Sequence, residues 1–251
     1  MKEEGKKYYD IHYDKYQASR LGYPDAMYKI ISDICGFNSY SNILEIGAGP
    51  GTATEDIIKY WQPHLTLIEP GCNFAFLLRQ KFKKNEAEII CTMFEDYHTN
   101  KKFDGIISAT AFHWIDLSIK YKKSFALLND NGFLVLYWNN YSVYNDSINQ
   151  EISSIYESYG EKFECNLNKQ QLKIENCRKE LTENNEFELI KYETFENIIT
   201  LSSNIFIDLL QTFIGHSSIN QQINKDIENL LAEHNNMIDV RILTNLAIAK
   251  K

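Results

Sequence analysis

The segment 42–54, which reads NILEIGAGPGTAT, constrains the fold more than any other part of the chain. Its first half, 43–46, is a short apolar run closed by glycine, which is typical of a buried parallel strand. Three of the five residues in 47–51 are glycines. The hydroxyls and acids of 52–58 are typical of a helix start. The sequence therefore predicts a strand, a tight loop and a helix N-terminus. Such an arrangement forms a ligand site, because backbone N–H groups at a helix start attract anionic groups.

The spacing of the glycines distinguishes between two classes of ligand that such a loop can bind. A dinucleotide fingerprint has the spacing GxGxxG. Gly47 and Gly49 fit this pattern, but Thr52 occupies the third position and the last glycine comes one residue earlier, at Gly51. The acid Glu45 would repel a pyrophosphate, whereas a ligand with an ammonium or sulfonium group would tolerate it. The pattern favours a zwitterionic nucleoside, and a nicotinamide-dependent dehydrogenase is kept as a less favoured alternative.

Residues 45–51, EIGAGPG, resemble the ExGxGxG motif of class I S-adenosylmethionine-dependent methyltransferases. The resemblance implies a Rossmann-like α/β fold, with a seven-stranded, mostly parallel sheet, an antiparallel last strand, and N-terminal and C-terminal helical caps. It implies S-adenosylmethionine as cofactor, S-adenosylhomocysteine as product and no metal. Within the motif it assigns cofactor contacts to Glu45, Gly47, Ala48, Gly49 and Gly51.

A second buried strand is predicted over 65–70, and it ends in the acid Glu69. Glu69 lies 18 residues beyond Gly51, close to where Rossmann-type folds place a carboxylate for ribose hydroxyls. A carboxylate can accept hydrogen bonds from both hydroxyls at once. The resemblance therefore makes Glu69 the ribose ligand and places Pro70 beside the cofactor.

A third predicted strand, 87–91, leads into the segment 92–97, TMFEDY, where the resembled family reads adenine. That family usually has an acid at the place of Met93, so this chain departs from the pattern. Phe94 would flank the ring, and Glu95 or Asp96 would contact N6 of adenine. Met93 could instead pack on the purine face, a contact that needs no charge.

A fourth predicted strand, 103–108, precedes the segment 108–114, SATAFHW, which resembles that of the trans-aconitate methyltransferase-like group of small-molecule methyltransferases. The resemblance assigns Ser108 and Ala109 to the cofactor and places His113 and Trp114 near the methyl acceptor. His113 is the candidate general base, although a lone histidine is more often a packed structural residue. Trp114 is expected to form a wall of the pocket.

The segment 20–24, RLGYP, resembles the N-terminal cap of the family, often RPGYP, which folds over the cofactor and helps enclose the substrate. Arg20 is the leading candidate for an anion contact, grouped with the cofactor ligands, and a surface arginine without a role is the alternative. Tyr13 and Asn139, at the end of a fifth strand over 133–138, are assigned to the substrate. Three residues of a predicted lid could also touch the acceptor, although core packing is favoured for each: Thr212, Phe213 and His216.

We expect one methyltransferase domain over residues 1–251. Its parts are an N-terminal cap (1–40), a cofactor-binding core (41–141), and lid helices with closing strands (142–251). The closing strands are predicted at 188–199 and 238–249, with two helices between them. Before the fifth strand, the turn 129–132 is expected to place Gly132 in a left-handed conformation that caps the preceding helix.

Composition limits the partners and the location. The net charge of −8 comes without a Lys/Arg cluster, so a nucleic-acid partner is disfavoured. The five cysteines include no CxxC pair, so neither a zinc site nor a disulfide framework is indicated. Neither an apolar N-terminal region nor a long apolar run occurs, which predicts a cytoplasmic protein without a membrane partner. We expect a monomer or a homodimer.

The predicted function is S-adenosylmethionine-dependent methyl transfer to a small-molecule acceptor, which could be a carboxylate, a hydroxyl or an amine. A metal-dependent reaction is disfavoured, because the sequence has no metal-ligand spacing. The alternative from another class is a non-catalytic protein of the same fold that binds S-adenosylmethionine or S-adenosylhomocysteine.

Overall fold

A computed structural model describes residues 20–163, 165, 167–183, 185–213 and 221–251. One sheet of seven strands organises this part of the chain. The strands are β1 (Asn42–Ile46), β2 (His64–Ile68), β3 (Ala87–Ile90), β4 (Phe103–Ala109), β5 (Leu128–Val143), β6 (Glu188–Ser202) and β7 (Met237–Lys250).

The strand order is β3-β2-β1-β4-β5-β7-β6. Strands β1 to β5 pair in parallel, and β7 pairs antiparallel to both β5 and β6. This confirms the predicted seven-stranded sheet with an antiparallel last strand. The chain runs outward from β1 to β3 and then crosses back to β4, so the order reverses between β1 and β4. Open α/β sheets bind ligands beyond the carboxyl ends of their strands at such a reversal.

Helices connect the strands and cover the sheet. They are α1 (Asp25–Cys35), α2 (Thr52–Trp61), α3 (Cys72–Lys81), α4 (Leu117–Leu127), α5 (Asp146–Ser158), α6 (Leu167–Thr182), α7 (Ser203–Leu210) and α8 (Gln221–Ala232), with a short 3₁₀ turn at Phe112–Trp114. Among the helices of the described ranges, none combines the length and apolar content needed to cross a membrane.

The core has a layer on each face of the sheet, as the alternation of side chains along a strand requires. Ile43 packs with residues of α1 and α2 on one face, and its neighbour Leu44 packs on the other with Leu127 of α4. A third cluster fills the space between α5, α7, α8 and the adjoining halves of β5 and β7. The closing strands therefore extend the core beyond the central sheet.

The segment 129–132 differs from the prediction, because it lies within β5, which begins at Leu128, and not in a turn before the strand. Helix α4 ends at Leu127, and Asn131, not Gly132, has the left-handed backbone conformation, with φ of 64°. Asparagine tolerates this region because its short polar side chain bonds locally. A β-carbon on Gly132 would lie 3.0 Å from the carbonyl oxygen of Asn129. The glycine makes this close approach easier and does not cap the helix.

Candidate functional site

A cleft lies at the carboxyl ends of β1 to β5, and its empty volume is about 1090 Å³ with the solvent at its mouth included. Four of these strands contribute a lining residue just beyond their carboxyl ends, namely Gly47, Glu69, Met93 and Thr110. Strand β5 contributes Asn139, which lies within the strand, two residues beyond its last pair with β4 at Tyr137. The cleft therefore lies where the reversal of strand order predicts a ligand site.

The loop after β1 depends on glycine for two reasons. Gly47, Gly49 and Gly51 have φ of 70°, 54° and 83°, a region that side chains other than glycine rarely adopt. A β-carbon on Gly47 would also lie 2.4 Å from that of Ala111, whereas one on Gly49 would meet nothing within 4 Å. Gly47, Ala48 and Gly49 line the cleft, and the backbone at Gly49 is open for a ligand to approach closely.

Gly51 precedes α2 and packs against the end of α3, where its added β-carbon would lie 2.9 Å from Leu78 and 2.7 Å from the ring of Phe82, the residue after the helix. It is absent from the cleft wall. Its role in the structure is to join the loop to the helix.

The Glu69 carboxylate holds two loops together at the cleft. It is 6% exposed, accepts a hydrogen bond from the Gly49 N–H at 2.9 Å through Oε2, and accepts one from the Gly71 N–H at 2.7 Å through Oε1. Each carboxylate oxygen has a second lone pair. Glu69 and its neighbour Pro70 line the cleft, so the carboxylate can accept further hydrogen bonds from ligand hydroxyls.

Glu45 does not line the cleft, contrary to what its place beside the glycine loop suggested. Its side chain is fully buried, Oε2 accepts a hydrogen bond from the Thr54 hydroxyl at 2.7 Å, and Oε1 has no hydrogen-bond partner among the described residues. The pKa of the Glu45 carboxyl is raised to about 8, because burial and, to a smaller extent, the charge of Glu69 raise it more than the Thr54 hydrogen bond lowers it. Near neutral pH the carboxyl is mostly protonated, so it cannot repel a pyrophosphate as the sequence suggested.

Ser108 also lies away from the cleft, because its fully buried hydroxyl donates to the Ile46 carbonyl oxygen at 3.0 Å. This bond joins the ends of β1 and β4. The next residue, Ala109, does line the cleft. The structure thus separates two neighbours that the sequence had assigned together.

The loop after β3 brings Met93, Phe94 and Glu95 to the cleft wall. Phe94 is buried, and the Lys123 ammonium of α4 lies 5.3 Å from its ring centroid. Lys123 also donates to the Glu95 carbonyl oxygen at 2.8 Å. Helix α4 therefore fixes the loop that the family resemblance assigns to adenine.

Arg20 lies where β5 meets the cleft, and its guanidinium is held on several sides. It lies over the rings of Tyr141 and Phe213, at 5.1 and 4.6 Å from their centroids. Its Nε donates to the Thr212 hydroxyl at 3.0 Å. Arg20 and Tyr141 line the cleft, and Thr212 and Phe213 support them from the turn after α7.

Asn139 fixes the segment of chain that carries Arg20. The buried Asn139 amide lines the cleft and donates to the carbonyl oxygens of Leu21 and Gly22, at 3.2 and 3.1 Å. Its Oδ1 accepts from the Thr244 hydroxyl of β7 at 2.6 Å. The polar atoms of Asn139 thus bond to the protein itself, and this places the 20–23 segment over the cleft.

Thr110 is a cleft residue that the sequence did not indicate. It has φ of 56°, unusual for a β-branched residue, and its N–H donates to the Tyr137 carbonyl oxygen at 2.8 Å. Its hydroxyl lies 3.1 Å from that of Tyr23. Strained backbone of this kind is often found at functional sites. Further cleft residues outside the sequence assignments include Leu21, Thr52, Phe74 and Ile115.

The two aromatic residues His113 and Trp114, which follow β4, differ in their position relative to the cleft. Trp114 lines the cleft, whereas His113 is exposed and is not among the lining residues. Their ring centroids lie 4.9 Å apart. Tyr13 and His216, which the sequence associated with the acceptor, lie outside the described residues.

The sheet order and the cleft at its switch point define a Rossmann-like α/β protein with a ligand site over β1 to β5. More particularly, residues 44–136 match the family model described as a methyltransferase domain. The matched residues contain the glycine loop, Glu69 and Thr110.

Curated relatives of this chain are also named as methyltransferases. The chain is 28% identical over 127 residues to an uncharacterized methyltransferase of Schizosaccharomyces pombe, which covers 49% of each protein. It is 26% identical over 161 residues to a malonyl-[acyl-carrier protein] O-methyltransferase of Priestia megaterium, which covers 62% of this chain and 57% of the relative. The chain spans about half the length of the curated relatives that it matches.

A solved structure extends the likeness to most of the chain. The structure of a candidate methyltransferase from Bacillus halodurans superposes with a TM-score of 0.57 at 14% identity, over 89% of this chain and 97% of that one. At this identity the likeness concerns the fold alone. The chain has the Rossmann-like methyltransferase fold.

Proposed function

We propose that the cleft binds S-adenosylmethionine and that the protein transfers its methyl group to a small-molecule acceptor. The extent of the cleft is the observation that carries the proposal. It runs from Glu69 after β2, past the glycine loop after β1, to Tyr141 on β5. This path crosses three strand spacings of about 4.8 Å, or about 14 Å, which leaves room for an acceptor beside a bound nucleoside.

The residues at the β2 and β3 side fit the nucleoside portion of the cofactor. Glu69 can accept from ribose hydroxyls, and the backbone face at Gly49 is open to the amino-acid portion. Phe94 and Met93 offer an apolar surface for the adenine ring. These contacts support the assignments made from the sequence for this part of the site.

Bound S-adenosylmethionine would supply a methyl group that a nucleophile can displace from a positively charged sulfur. The residues of the protein would position the acceptor against the methyl group and exclude water from the site. Trp114 and Ile115 form an apolar part of the wall beside the glycine loop. Positioning in a water-poor site can supply several kcal/mol toward such a displacement.

A carboxylate is the acceptor group that this cleft suits best. Carboxylates are ionised near neutral pH and need no general base, and the exposed His113 is absent from the cleft wall. Arg20 lies on that wall and can orient a carboxylate by a charge-assisted hydrogen bond. In keeping with this, the Priestia megaterium relative is named as an O-methyltransferase.

Calorimetry with S-adenosylhomocysteine tests the cofactor site. We expect the wild-type protein to bind it and Glu69→Ala to bind at least about tenfold more weakly, because the variant loses the proposed ribose acceptor and the bond to the Gly49 amide. Glu157→Ala, on the exposed side of α5, is the control and should keep wild-type affinity. Equal affinity in all three proteins would refute the ribose assignment.

An assay of turnover tests whether the protein is an enzyme. A screen for S-adenosylhomocysteine release should find activity among small carboxylic acids and not among amines or phenols. Cofactor binding without turnover on any acceptor would favour the non-catalytic alternative. A single domain over the chain, a cytoplasmic location and a monomeric or homodimeric state stay predictions.

A further inference from the structure

Two cysteines meet at the rim of the cleft. The Sγ atoms of Cys72 and Cys91 lie 3.3 Å apart, and both residues are exposed. Cys72 is the first residue of α3, and Cys91 directly follows β3. Nothing in their spacing of 19 residues suggested that they would be neighbours.

Backbone hydrogen bonds fix the two segments beside each other. The strands β2 and β3 are parallel neighbours, with Ile68 opposite Ile90. Beyond them the Glu69 N–H donates to the Ile90 carbonyl oxygen at 3.1 Å, and the Thr92 N–H donates to the Glu69 carbonyl oxygen at 3.2 Å. Since a disulfide bond is about 2.05 Å long, the two sulfur atoms need to approach by only about 1.3 Å.

We propose that Cys72 and Cys91 form a reversible disulfide that weakens cofactor binding in the adjoining cleft. The link itself is a property of the cysteine pair, and its effect on the cofactor rests on the proposed function. Both thiols are accessible to a small disulfide oxidant such as glutathione disulfide, because both residues are exposed.

The exchange is balanced in two steps. The thiolate of one cysteine attacks glutathione disulfide, forms a mixed disulfide and releases one glutathione thiolate. The thiolate of the second cysteine then attacks the protein sulfur of that mixed disulfide and releases the second glutathione. One disulfide bond forms in the protein while one breaks in the oxidant. The two electrons and the two protons lost by the cysteines end on two glutathione thiols.

The link would strain the cleft because both cysteines adjoin lining residues. Gly71 precedes Cys72 and Thr92 follows Cys91, and both Gly71 and Thr92 line the cleft. The Gly71 N–H also donates to Glu69 Oε1 at 2.7 Å. Drawing the two segments together displaces this donor, and Glu69 loses the position from which it would hold the ribose. A misplacement of about 1 Å can slow a positioned reaction by about two orders of magnitude, and we expect a smaller loss, of about one order, in the affinity for the cofactor.

The test uses the full chain, equilibrated with reduced glutathione or with glutathione disulfide. Peptide mapping without reductant should find Cys72 joined to Cys91 only in the oxidised sample. The oxidised protein should bind S-adenosylhomocysteine about tenfold more weakly than the reduced protein, and dithiothreitol should restore the affinity. Comparing each protein with itself in two redox states removes the effect of a variant on folding.

Two variants serve as controls. Cys72→Ser should form no link and should bind the ligand equally in both buffers. Cys35→Ser should behave as the wild type, because burial raises the pKa of the Cys35 thiol to about 12 and keeps it unreactive.

Several results would overturn the inference. One is stable glutathionylation of either cysteine without a link between them. Another is a Cys72–Cys91 link that leaves the affinity unchanged. A reduced protein that does not bind S-adenosylhomocysteine would instead refute the proposed function, and the peptide map would still decide whether the pair links.

Discussion

Replacing Glu45 by glutamine removes a buried acid whose ionisation should limit stability at high pH. The carboxyl is fully buried under the glycine loop, with one oxygen bonded to Thr54 and the other without a partner among the described residues. Burial raises its pKa to about 8 in the folded protein, from an ordinary value of 4.5. Glutamine has a similar shape, can bond to Thr54 and carries no charge at any pH.

The sign of the effect follows from proton binding. Below pH 4.5 the Glu45 carboxyl is protonated in both the folded and the unfolded chain. Between pH 4.5 and 8 the unfolded chain loses this proton while the folded protein keeps it, so the free energy of unfolding falls as pH rises. Each pH unit contributes about 1.4 kcal/mol. Across the whole window this is about 5 kcal/mol, of which about 3–4 kcal/mol falls between pH 5 and pH 8.

Urea unfolding at pH 5 and pH 8 measures the effect. The free energy of unfolding of the wild type should decrease between these pH values by about 3–4 kcal/mol more than that of Glu45→Gln. Because other titrating groups are shared, the difference between the two proteins isolates Glu45. Glu157→Gln, at an exposed position of α5, should follow the wild type. Parallel pH dependence in the wild type and Glu45→Gln would show that the carboxyl is not held in its neutral form.

Two further substitutions test the β5 side of the cleft. Asn139→Ala removes the hydrogen bonds that fix Leu21 and Gly22, so chemical unfolding should show a loss of about 1–3 kcal/mol, while Asn100→Ala at an exposed site should show none. Arg20→Gln should raise KM for a carboxylate acceptor at least about tenfold and leave the affinity for S-adenosylhomocysteine unchanged. A fall in that affinity instead would assign Arg20 to the cofactor, the group of residues in which the sequence analysis placed it.

The amino-acid sequence determined the central architecture, because its signals are local. Residues 43–46 form a strand, 47–51 a loop of three left-handed glycines, and Thr52 begins a helix, as predicted. Glu69 could be placed at the end of β2 for the same reason, since apolar runs mark strands and the residue after a strand reaches the ligand edge of the sheet. Even the antiparallel closing pair followed from alternating patterns and the family resemblance.

Tertiary structure decided which side chains face the cleft. Glu45 and Gly49 are close in sequence, yet one is buried below the loop and the other borders the ligand space. Arg20 is held by Thr212, which lies 192 residues away along the chain. Periodicity describes the faces of a single element and contains no information on which distant element packs there. These contacts, like the meeting of Cys72 with Cys91, are fixed only once the strands have paired and the loops between them share one edge of the sheet.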